Sequence, residues 1–107
     1  NIAKDFENEV MDGRIMQAYV SVYSAQKKYD KSKELLFNSI EHFQNMNRNN
    51  LVLQSMMQLV QIDLELSNIE SAQSMFKKCM KISKRVNDPL MLGALEKLST
   101  NKQLKVD

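Results

Sequence analysis

Apolar residues recur along this chain at helical rather than strand spacing. From Ile15 to Tyr23 they fall at 15, 16, 19, 22 and 23, the recurrence expected of one helix face. The same arrangement returns 40 positions later, where Tyr19 aligns with Leu59, Val20 with Val60, Val22 with Ile62 and Tyr29 with Ile69. The register continues through Leu35/Met75, Leu36/Phe76, Ser39/Cys79, Ile40/Met80 and Met46/Val86. Size is matched as well as polarity: small residues recur at Ser32/Ala72 and Ser39/Cys79, with a large apolar residue between them at Leu36/Phe76. Agreement of both kinds over this length marks an internal repeat, which has to be settled before any single motif is weighed.

Each unit predicts two helices. The first spans 11–27 and recurs at 50–66, and the second spans 30–46 and recurs at 69–86. Polar links separate them at Lys27-Lys28 and Ser67-Asn68 within units, and at Asn47 to Asn50 and Asn87-Asp88 between units. Asp88 before Pro89 predicts an N-cap followed by proline at the first helical position, opening a fifth helix over 89–99. The chain is therefore a single domain over 1–107: repeat one at 11–48, repeat two at 50–88 and a partial third at 89–100. Residues 1–8 are expected to be the last turns of a preceding unit, which makes the chain read as a piece of something longer. Antiparallel helices in close contact need a slim residue at each crossing and a bulky one in the groove beside it. The small–large–small pattern supplies both. Neither helix can bury its stripe alone, so each unit leans on its neighbours and exposed ends are expected to self-associate.

The spacings Ser32-x3-Leu36-x2-Ser39 and Ala72-x3-Phe76-x2-Cys79 resemble the signature of tetratricopeptide repeats. Tyr29-Asp30 and Ile69-Glu70 stand where that family begins its second helix, and Tyr23 matches its first-helix aromatic. The resemblance covers 11–88, with a period longer than the usual value of about 34 residues. It implies an all-α, right-handed superhelix of antiparallel helix pairs. Val20 and Val60 depart from the family's small first-helix residue, and Asp63 stands where an apolar residue is expected, so no subfamily is indicated.

The resemblance also implies a site. First helices line a concave face whose outward residues would be Arg14, Gln17, Ser21 and Ser24 in unit one, and Gln54, Met57, Gln58, Gln61 and Glu65 in unit two. Such a face takes a protein or peptide partner through amide hydrogen bonds and adaptable Met contacts. Family members that hold a C-terminal carboxylate use Lys and Asn at places occupied here by Gln17, Ser21, Met57 and Gln61. Without a cation there, that charge-assisted mode is not expected.

Composition narrows the picture. Two glycines, one proline and many Leu, Met, Lys, Glu and Gln residues favour helices throughout. The net charge of +2 lacks the basic excess of a dedicated nucleic-acid binder, and no apolar run is long enough to span a membrane. One cysteine, Cys79, forms no internal disulfide, which fits a cytoplasmic or nuclear setting. Cys79 falls at a small packing position and reads as a buried filler rather than a nucleophile.

Lys77, Lys81, Lys84 and Arg85 form one stripe on the second helix of unit two, with Lys78 beside it. A solvated face favoured by the helix C-terminus is the plainer reading, and an acidic-partner or phosphate patch the sharper one. Phe37 aligns with outward Lys77, so it reads either as an exposed aromatic of an outer-face interface or as a ring packed locally. His42 has no second His or Cys near it in sequence. Asp63 and Glu65 do not share a helix face, and Asp30 and Glu34 belong to an ordinary first turn. No catalytic set, metal ligands or cofactor motif is assembled, so no enzyme, metal or cofactor is expected. Two functions compete: a protein–protein interaction scaffold within a larger assembly, and a peptide-sensing regulatory domain that switches an attached effector.

Overall fold

A computed structural model describes residues 15–104, and all regular structure among them is helical. Residues 15–25 form α1. It is followed by α2 (Tyr29–Asn45), α3 (Asn49–Glu65), α4 (Ile69–Ser83), α5 (Pro89–Ser99) and a closing 3-10 turn, Lys102–Leu104. The expected first-helix residues 11–14 and the expected turns at 1–8 lie outside the described residues. The starts of α2 and α3 fall one residue before the expected positions, and α5 matches. One boundary needs correction. α4 stops at Ser83 rather than 86, because the chain must turn there to bury Val86 and bring Asp88 to the head of α5.

Three links share one backbone design. Lys27, Asn47 and Ser67 take the left-handed conformation, with φ of 60°, 57° and 62°. The next residue's N–H reaches back each time: Lys28 to the Tyr23 carbonyl at 2.7 Å, Arg48 to Phe43 at 2.9 Å, Asn68 to Asp63 at 2.7 Å. The N–H groups of Lys27, Asn47 and Ser67 donate to the carbonyls of Ser24, Gln44 and Leu64. These paired bonds satisfy carbonyls that a helix end would otherwise strand. The carbonyls of Lys28, Arg48 and Asn68 then accept from Ser32, Val52 and Ala72, so the next helix begins at once. No side chain caps α2, α3 or α4. α5 starts differently, after a longer link. The Asp88 carboxylate accepts from the N–H groups of Leu90 (3.1 Å) and Met91 (3.3 Å), with Pro89 at the first position, as the sequence predicts.

Links this short fold each helix back on its predecessor. Ser24 bonds to Ser32 and the Ser32 hydroxyl donates to the Val20 carbonyl, while Ser39 meets the Met16 sulfur farther from the turn. Contacts that recede from the turn on both helices show that α1 and α2 run antiparallel. The expected small positions sit at these crossings: Ser32, Ser39, Ala72 and Cys79 are all fully buried. The Cα extents of 48 × 33 × 19 Å describe a slab about two helix diameters thick.

α3 is the centre. It packs against α2, α4 and α5 and buries Val52, Leu53, Met56, Leu59, Val60 and Ile62, leaving open the face that carries Gln61 and Glu65. Asp63 explains itself in this setting. Its carboxylate accepts a hydrogen bond from the Lys33 ammonium at 2.8 Å, an ion pair across the α2–α3 contact. The Gln73 side chain donates to the Gln103 backbone carbonyl at 2.9 Å, tying α4 to the closing 3-10 turn. α1 needs a second correction. Its stripe does not turn inward as a whole, since Ile15, Tyr19 and Val22 are exposed and only Val20 is fully inside.

Candidate functional site

The first helices α1, α3 and α5 share one side of the slab, where two grooves meet along α3. The first, about 300 Å³, runs between α1 and α3 and is lined by Val20, Ser21, Ser24, Tyr29, Gln58, Gln61, Ile62 and Glu65. The second, about 310 Å³, lies between α3 and α5 and is lined by Gln54, Met57, Gln58, Gln61, Leu90, Met91 and Ala94. Gln58 and Gln61 belong to both because positions 54, 58, 61 and 65 step along one face of the helix. The resemblance thus named a set that the fold does bring together: Ser21, Ser24, Gln54, Gln58, Gln61 and Glu65.

Three of its members fare differently. Arg14 lies outside the described residues. Gln17 is half-buried on α1 and lines neither groove. Met57 lines the second groove but is only 6% exposed, so it belongs to the groove floor and to the core at once and leaves a partner little surface to touch. Sequence reading missed Tyr29 and the α5 residues Leu90, Met91 and Ala94. The Asp88-Pro89 cap was the available signal for the α5 wall, since it fixes where that helix starts.

The polar chemistry of the joint groove is unusual at one atom. The Gln58 Oε1 is buried and has no hydrogen-bond partner among the described residues. A buried acceptor left unpaired costs about 1–3 kcal/mol. Among the described residues Glu65 is the one charged residue lining either groove.

On the other side of the slab a third groove, about 520 Å³, separates α2 from α4. Phe37 stands exposed at its edge, and Lys81 and Arg85 from the predicted stripe line it. Lys77 and Lys84, also exposed, do not line it, whereas Lys78 does. Lys78 and Lys81, three apart, share the face of α4 turned to the groove, whereas Lys77 and Lys84, seven apart, lie on the face beside it.

The remaining candidates are structural. Burial pushes the Cys79 thiol up from 9.0 to about 12, so the nucleophilic thiolate is suppressed. His42 is half-buried with its ring edge-on to Phe43. Asp63 is buried against Lys33 and Glu65 is exposed, so the two carboxylates serve separate places. Among the described residues no three His, Cys, Asp or Glu side chains are grouped to hold a metal ion, and no helix is long and apolar enough to cross a membrane.

No protein-family model matches the chain, and no curated protein and no solved structure matches it.

Proposed function

We propose that this chain is a protein–protein interaction module of the tetratricopeptide type, a scaffold segment that seats part of a partner protein along α1, α3 and α5. The observation that carries this reading is the unpaired Gln58 Oε1 where the two grooves join. An extended segment crossing α3 carries free backbone N–H groups, and a turn of the Gln58 amide toward the groove would pair its oxygen with one of them, so the cost of the unpaired acceptor is recovered when the partner is bound. Gln54 and Gln61 offer further amide groups on either side, and Met91 and Leu90 give the segment apolar footing. Among the described lining residues Glu65 carries the one charge, which favours a neutral or basic segment. The tetratricopeptide assignment is supported by the buried small positions at the helix crossings and by the repeated turns at Lys27 and Ser67.

Site-specific photo-crosslinking tests the proposal. A benzophenone side chain placed at Gln61 or Gln54 in the expressed protein should capture a protein partner, and Gln58→Lys should abolish the adduct while leaving the helical circular-dichroism spectrum intact. Adducts formed only from probes on α2 or α4 would overturn it. Met57 is unsuitable for such tests, because a charge there would enter the core.

A further inference from the structure

We propose that the groove between α2 and α4 is a second docking site, for an acidic amphipathic segment of a partner protein. Its floor is apolar: Phe37 and Ile40 from α2, Met56 from α3 below, and Met75 and Ile82 from α4. Its rim is cationic, formed by Lys78, Lys81 and Arg85, and no carboxylate lines it. The acids of α2 a turn to either side of Phe37, Glu34 and Glu41, are outside the lining.

Charge complementarity fixes the occupant. None of the three rim cations is held in an ion pair among the described residues, where the one bridge is Lys33–Asp63. The sequence supplies no acid at all between Glu70 and Asp88. A favourable helix dipole accounts for cations in the last turn of α4 but not for Lys77 and Lys78 farther back. Like charges four apart on α4, as at Lys77/Lys81, repel one another along the helix face, and Arg85 in the turn that follows adds a further cation beside Lys81. An acidic partner would turn that repulsion into attraction.

The floor selects the class of partner. Phe37 is 51% exposed and Met75 is half-buried, so an incoming apolar side chain has surface to cover and a pliant thioether to fit against. A phosphate backbone would pair with the rim but leave the floor wet, and a single aromatic gives bases no stacking row. A segment with apolar residues at i, i+4 and i+7 and Glu or Asp on its flanks meets both requirements. This site is on the opposite side of the slab from Gln58 and stands or falls independently of the groove along α1, α3 and α5.

The test uses the whole chain and a fluorescein-labelled synthetic helix carrying Leu at i, i+4 and i+7 with Glu on either side, read by fluorescence anisotropy. Amide chemical shifts of isotope-labelled protein report the location. The Glu peptide is expected to bind, with shifts confined to α2 and α4, and to weaken at least about tenfold against the Lys81→Glu/Arg85→Glu variant. Phe37→Ser should weaken it about fivefold, while Gln61→Lys leaves it unchanged. Replacing the peptide's Glu by Lys, or its Leu by Ser, should each remove binding. Equal binding of the Lys peptide, shifts centred on α3, no binding of the Glu peptide, or tighter binding of single-stranded oligothymidylate would each overturn the proposal. The substituted residues are exposed, so an unchanged thermal transition separates lost docking from lost fold.

Discussion

α1 and α3 occupy equivalent places in the repeat, yet they live in different environments. Tyr19 is 52% exposed where its counterpart Leu59 is 0%, and Val22 is 49% exposed where Ile62 is 6%. Val20 and Val60 are both buried. The shared position is the one that faces the unit's own second helix, whereas the divergent positions face across to a neighbouring unit. α3 has neighbours in α2, α4 and α5. Apolar character was placed correctly by the repeat, but coverage depends on what stacks beside each helix, which is the quasi-one-dimensional logic of repeat folds.

Substitutions at equivalent positions can break this comparison. Leu59→Ala should cost about 3–5 kcal/mol in urea denaturation, while Tyr19→Ser should cost less than about 1 kcal/mol. Similar losses at the two sites would refute the distinction between centre and edge. Next in size, Asp63→Ala should cost about 2 kcal/mol, since it strands the partly covered Lys33 ammonium. The double change Lys33→Met/Asp63→Leu should recover most of that loss, measured in the same assay. Ser55 is fully buried with its hydroxyl unpaired, so Ser55→Ala should raise stability by about 1 kcal/mol. At the equivalent exposed Ile15 the change to Ala should do almost nothing.

Smaller effects sharpen what the two units share. Lys27→Gly and Ser67→Gly relieve the same left-handed strain and should each stabilise by about 0.5–1 kcal/mol, in equal measure if the turns are equivalent. The least visible effect concerns Cys79 on α4. The folded protein holds the thiol proton until about pH 12, whereas the unfolded chain releases it near 9.0. Above pH 9.0 ionisation therefore favours unfolding. Its contribution to stability is full below that pH and is lost progressively up to about 12. Relative to Cys79→Ala, the wild type should lose denaturation midpoint only in that alkaline window.

Much of the architecture was legible because it is local. The 40-residue register, the small residues at the crossings and the Asp88-Pro89 cap all follow from side-chain size and backbone chemistry within short windows. The glutamine row on α3 was legible for the same reason, since 54, 58 and 61 share a face by helical geometry alone. What escaped depended on contacts between units. Met57 looked outward yet belongs to the groove floor and the core at once, and Asp63 looked anomalous until Lys33 reached it from thirty residues away. The division of the basic stripe, with Lys78 in and Lys77 out, turned on the rotation of α4 against α2.

The three left-handed links also bear on how the chain reaches its fold. Each joins helices through backbone hydrogen bonds spanning only a few residues, so little loop entropy is lost in bringing one helix onto the last. Nearly every pairing is between sequence neighbours, a topology of low contact order that folds in roughly microseconds to milliseconds. Amide hydrogen exchange should accordingly be slowest in α3, which α2, α4 and α5 pack against, and faster in the closing turn.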